Sequence, residues 1–224
     1  MAFKQTRKSG VGSTGVTVVV VVILLVASVG GYVFLRSSTK PPSSTAIQQG
    51  QSTTGQVYAR IQTSLGTIEV QLFPNSAPRT VANFVRLAEM GFYDELVWHR
   101  IVPGFVIQTG DPNTRNGLNS TRAAWGAGGS NATVPLEIDP SLHNDVGYLG
   151  MARGPENDSG SSQFYINLAN NTYLDGYYTV FGRVISGMDV VNAIAQVPIY
   201  VSGPYVNQPI SSVFMLNVTI QNTP

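Results

Sequence analysis

Beyond residue 56 the chain alternates between short apolar stretches and polar, glycine-rich breaks. VYARIQTSLGTIEVQLF (57–73) reads as two strands around a Ser64-Leu65-Gly66 turn, with Ile68, Val70 and Leu72 on one face. Pro74 and Pro78 end that pattern. From Pro78 the apolar positions Val81, Phe84, Val85 and Ala88 follow helical spacing, with Pro78 in the first turn and Gly91 as the stop. Further strands are expected at 96–102, 105–109, 147–151, 163–167, 178–185 and 212–220, and a second helix at 187–197. Many short strands with two isolated helices predict a mainly β fold, a closed antiparallel barrel with helices at its ends. One strand region breaks the rule. WHRIVPGFVIQTGD (98–111) is patterned for a core, yet it holds Arg100, whose charge cannot be lost, and Gln108.

The first 55 residues follow a different pattern. Residues 1–15 are small, polar and basic. Val16–Leu35 has no charge over a length that can span a bilayer, about 20 residues. It reads as a transmembrane helix anchoring the chain in the lipid bilayer, or as a cleaved signal peptide. Lys4, Arg7 and Lys8 before it outnumber Arg36 and Lys40 after it. That bias places residues 1–15 in the cytoplasm and the domain outside it, as a single-pass protein of the cell membrane. Residues 36–55 are rich in Ser, Thr, Pro, Gln and Gly and form a flexible stalk, reaching on the order of 25 Å as a coil. The domain occupies 56–224.

Composition narrows the chemistry. The chain has no cysteine, which excludes a disulfide scaffold, a thiolate metal site and a cysteine nucleophile. His99 and His143 are the only histidines and lie far apart, so no metal site is expected. Beyond residue 56 eight arginines face twelve acids, a net charge of −4. Nucleic acid is therefore not an expected partner. Five N-x-[S/T] sequons, at Asn119, Asn131, Asn157, Asn170 and Asn217, fit a domain outside the cytoplasm.

Four segments in order resemble the cyclophilins: TSLGTIEVQLFPNSAPRTVANFVRLAEMGFYD (63–94), WHRIVPGFVIQTGD, GYLGMARGPENDSGSSQFYINL (147–168) and YLDGYYTVFGRVISGMDVV (173–191). The resemblance implies an eight-stranded antiparallel barrel capped by two α-helices and a peptidyl-prolyl cis–trans isomerase acting on proline-containing polypeptide clients. It implies that Arg100 projects from the outer barrel surface into a shallow groove. Phe105, Val106, Tyr165 and Leu174 would line the proline pocket, with Gln108 and Gln163 beside it. Ala152, Arg153 and Gly154 would present backbone to an extended peptide, and His99 and Tyr178 complete the substrate-binding set. Arg100 and Gln163 are the catalytic candidates.

An X–Pro bond turns slowly because resonance stiffens C–N, with a barrier of about 18–20 kcal/mol. No covalent bond breaks, so no nucleophile, metal or cofactor is called for. A guanidinium aimed at the twisting nitrogen suffices. Many eukaryotic members carry Phe at Tyr165, Trp at Tyr173 and His at Tyr178, and Asn is usual at Arg153. The absent tryptophan implies weak cyclosporin binding. A membrane-tethered prolyl-peptide binding module or holdase is the alternative to an enzyme that assists folding. The joint presence of Arg100 and Gln163 favours the enzyme.

Overall fold

The computed structural model of the chain describes residues 55–224. The expectations for residues 1–15, for Val16–Leu35 and for the stalk through residue 54 lie outside the described residues. Among the described residues no helix is long and apolar enough to cross a membrane.

Nine strands form one antiparallel sheet: β1 (Val57–Thr63), β2 (Gly66–Leu72), β3 (Leu96–Val97), β4 (Arg100–Val102), β5 (Val106–Thr109), β6 (Tyr148–Met151), β7 (Phe164–Asn167), β8 (Val180–Ser186) and β9 (Phe214–Gln221). Their spatial order is β3-β9-β1-β2-β8-β6-β7-β5-β4. The two ends of that order, β3 and β4, are consecutive in the chain, so Trp98 and His99 bridge them. The expected eight strands become nine because the single strand foreseen at 96–102 bends at these two residues. Its first half pairs with β9 and its second half with β5.

Alternation is clearest in β2, where Ile68, Val70 and Leu72 are buried and the residues between them are partly exposed. Helix α1 (Pro78–Glu89) starts with proline in its first turn and buries Val81, Phe84, Leu87 and Ala88. Phe84 seats α1 in the core, 5.5 Å from the rings of both Phe164 and Phe181. Helix α2 (Met188–Ala195) adds Val191 and Ile194. Trp98 fills the bend between β3 and β4, edge-on to Phe164 at 6.1 Å. Its indole N–H has no partner, a cost of about 1–3 kcal/mol that the packing of a large ring must offset.

Candidate active site

Register explains how a core-patterned strand carries an arginine. Ile101, Ile107, Ile166 and Leu149 are cross-strand partners on β4, β5, β7 and β6, and all are fully buried. One residue along each strand, Arg100, Gln108, Tyr165 and Gly150 form the neighbouring row. Successive side chains point to opposite faces. The first row therefore faces the core, and the second lies on the outer face of the same four strands.

Along the outer row a chain of amides fixes the arginine. Arg100 Nη1 donates to Gln108 Oε1 at 3.1 Å, and Gln108 Nε2 donates to Gln163 Oε1 at 2.9 Å. Gln163 Nε2 then donates to the carbonyls of Gly126 and Gly128, at 3.0 and 2.7 Å. Those carbonyls are placed by Asp111. Its carboxylate accepts the backbone N–H of Asn113 at 2.8 Å, of Gly128 at 3.2 Å and of Gly126. Residue 128 is glycine because a Cβ there would sit 2.2 Å from Asp111 Oδ1. Arg100 has no other hydrogen bond and no carboxylate partner among the described residues, so its remaining N–H donors are open. Burial lowers its pKa, and Tyr178 and Tyr173 pull it back up. It stays a cation.

Aromatic rings flank the outer row. The Arg100 guanidinium lies 5.6 Å from the Phe105 ring centroid, and Tyr173 stacks on Phe105 at 6.1 Å and 19°. Tyr165 lies across Gly150, where a Cβ would come within 2.2 Å of the ring. Tyr178 stands edge-on to Tyr165 at 6.0 Å. Arg153 covers Tyr178 at 5.2 Å and is tied to the carbonyls of Tyr177, Gly154 and Pro155. Leu174, Ala152 and Gly154 are half-buried at this rim. Residues 58–220 match the family model described as cyclophilin type peptidyl-prolyl cis-trans isomerase/CLD.

The chain is a cyclophilin. Similar proteins include "Peptidyl-prolyl cis-trans isomerase A" of Dickeya dadantii, 38% identical over 172 residues, covering 75% of this chain and 86% of that protein. "Peptidyl-prolyl cis-trans isomerase-like 1" of Neurospora crassa is 42% identical over 142 residues, covering 62% of this chain and 80% of that one. The crystal structure of a Cryptosporidium parvum cyclophilin type peptidyl-prolyl cis-trans isomerase superposes with a TM-score of 0.66 at 28% identity, covering 75% of this chain and 99% of that chain. A second structure of that protein, in the presence of the dipeptide Ala-Pro, gives 0.64 at 29%, covering 73% of this chain and 98% of that one. This cyclophilin is an enzyme, a peptidyl-prolyl cis–trans isomerase.

Three of the expected contact residues sit deeper in the cyclophilin than a peptide-lining role suggests. His99 is only 2% exposed, because the loop carrying Gly126 folds over its ring. Its ring lies beneath the outer row rather than on it. Burial drives its pKa down to about 4, against the pull of the Asp111 carboxylate, and neither ring nitrogen has a well-formed hydrogen bond. Val106 and Tyr165 are also buried and back the groove more than they line it. Behind Tyr165 lies a network that strand patterning does not reveal. The Tyr165 hydroxyl donates to Asn144 Oδ1 at 2.8 Å, and Asn144 Nδ2 donates to Asp175 Oδ1 at 2.9 Å. Asn171 Nδ2 reaches the Phe105 carbonyl at 3.0 Å. The only sequence signal for these groups is asparagine in loops otherwise flanked by apolar residues.

Proposed function

We propose that this cyclophilin isomerises X–Pro bonds in clients outside the cytoplasm, with Arg100 stabilising the twisted amide. As the amide leaves planarity, its nitrogen lone pair localises and becomes a hydrogen-bond acceptor. A guanidinium donor aimed there binds the twisted state more tightly than the planar one. The observation that carries this reading is the anchoring of Arg100. One nitrogen is held by Gln108, which Gln163 holds in turn, while the other donors remain open beside the rings. Preorganisation of this kind avoids reorganising the donor during the reaction. Phe105 and Leu174 supply the apolar surface for the prolyl ring. Gln163 acts through Gln108 as a positioning residue. The test is exchange spectroscopy on an X–Pro peptide with the full chain and its Arg100→Ala variant. A folded variant with wild-type kcat/KM would sink the assignment.

The location outside the cytoplasm is supported by Val16–Leu35, by the basic charge before it and by the sequons. Asn119, Asn131, Asn157 and Asn170 are exposed. Asn217 is half-buried, and its amide donates to Gln62 at 2.7 Å, so it is the poorest acceptor for a glycan. Protease added to intact cells should trim the domain, while carbonate-washed membranes should keep the chain. Release into the medium would reject the anchor, and protection until lysis would reject the topology.

A further inference from the structure

We propose that the groove selects clients carrying an acidic side chain within about four residues of the isomerised proline, and that Arg153 makes the selection. The inference rests on the isomerase reading of the groove.

Arg153 is held like a receptor. Nε donates to the Tyr177 carbonyl at 2.7 Å, and Nη1 to the carbonyls of Gly154 and Pro155 at 3.0 and 3.2 Å. Its face covers the Tyr178 ring. Nη2 makes no hydrogen bond, and no carboxylate of the described residues lies within ion-pair distance of the guanidinium. A fixed planar fork with one open edge loses little freedom when it takes a carboxylate.

The nearby acids do not cancel this charge. Glu156 and Asp158 follow in the chain and line a cleft of about 500 Å³ that adjoins Arg153 through Pro135, Leu136 and Asn157, yet neither carboxylate comes within 4.0 Å of the guanidinium. Asp175 is engaged by His143 at 2.8 Å and by Asn144. Arg100, the other guanidinium of the groove, is likewise free of any carboxylate. Two uncompensated cations thus stand on the aromatic wall of a domain whose net charge is −4.

Register sets the scale. Arg100 lies on β4, and Arg153 follows the end of β6, three strand spacings across the sheet. At about 4.8 Å per spacing the crossing is about 14 Å, and the three residues from the Gly150 row to Arg153 add about 10 Å along the strand. The backbones thus lie about 17 Å apart, a span that roughly four residues of extended peptide cover once the long arginine and acidic side chains reach toward each other. A client with proline at Arg100 can therefore bring a nearby Asp or Glu to Arg153.

The competing account is that Arg153 only pins its loop. Matched peptides with Glu, Gln or Lys scanned through the four positions either side of an X–Pro bond separate the two, using the full chain in detergent. The expected result is a kcat/KM for Glu over Lys of about two- to five-fold at one offset, the range of an exposed ion pair. That ratio should shrink toward one in roughly 0.5 M salt. It should also shrink in Arg153→Gln and invert in Arg153→Glu, each checked for folding by thermal melting. Equal wild-type rates for Glu and Lys at every offset would overturn the inference and leave the isomerase reading intact. A Glu-to-Lys ratio unchanged in Arg153→Gln would identify a loop pin and overturn it too. Inactivity of the wild type on every peptide would remove the isomerase reading and this inference together.

Discussion

Arg100 and Arg122 are the same residue in two different settings. Both lie against aromatic rings and neither has a carboxylate partner. Arg122 is 3% exposed, with its guanidinium 4.3 Å from the Trp125 ring centroid and 5.5 Å from that of Tyr200. It donates to the Pro209 carbonyl at 2.8 Å and twice to Asn119 Oδ1, at 3.3 and 3.2 Å. Its charge is consumed in joining the 119–125 segment to the 198–210 segment. Arg100 has one protein hydrogen bond and lies on the outer face of the sheet beside the Phe105 ring. The difference lies in which donors remain open: satisfied donors make a clamp, and open ones make a site.

The largest expected effect tests that contrast directly. Arg100→Ala should lower kcat/KM by about 10²–10³-fold, as expected for removing one donor to a developing charge. It should shift the melting temperature little, because only one bond, to Gln108, is lost. Arg122→Ala should do the reverse. It removes several charge-assisted hydrogen bonds and a buried stack, and should cost about 2–4 kcal/mol of stability. The kcat/KM of the folded fraction should stay near wild type. Denaturant melts beside exchange spectroscopy check both, and a variant that crossed over would erase the distinction.

His99 sharpens the contrast from below the site. It is buried neutral, with its pKa lowered to about 4. The unfolded chain takes up that proton near pH 6.5 and the folded chain does not. Stability is therefore fully present above about pH 6.5 and falls as pH drops toward 4, by on the order of 3 kcal/mol. Asp139 and Asp175 have lowered pKa values, so their contributions are lost at more acidic pH. In Asp139 the bonds from Ser141 and Ser76 cause the shift. In Asp175 burial raises the pKa, but bonds from Asn144 and His143 outweigh it. Urea melts between pH 7 and 4.5 should show the slope in wild type and lose it in His99→Phe. A flat wild-type profile would place His99 outside the core.

The row that builds the site shows what a sequence yields. Alternation in 57–73 and helical spacing from Pro78 are local, and the elements formed where the pattern placed them. Register between β4, β5, β7 and β6 joins residues far apart in the chain, so no local pattern contains the row Arg100-Gln108-Tyr165-Gly150. The cyclophilin resemblance named these residues apart from Gly150, but not their alignment. The burial of His99 comes from the 111–128 segment, where turns and Asp111 replace periodicity, so no strand pattern contains it. The Asn144 and Asn171 bonds lie outside local pattern for the same reason: these loop amides bond to residues 21 and 66 positions away in the chain.

The smallest expected effect concerns the groove rim, where an aromatic ring serves as surface and not as a platform for charge. Tyr173 is 66% exposed and stacks on Phe105, the ring that Arg100 also touches. Its hydroxyl reaches Asn171 only at 3.4 Å. Cyclosporin, a ligand much larger than a prolyl residue, would draw on this rim, whereas isomerisation, in the mechanism proposed for Arg100, would draw on the row behind it. A phenol offers less contact area than an indole and lacks its N–H donor. Wild-type inhibition should therefore be weak. Tyr173→Trp should tighten it by about five- to tenfold, roughly 1 kcal/mol, while moving kcat/KM by less than it moves inhibition. Inhibitor titration of both proteins in the isomerisation assay decides the matter. Tight inhibition of the wild type would show that the rim contributes little to drug binding. An equal change in kcat/KM and inhibition would show that rim and row act as one surface.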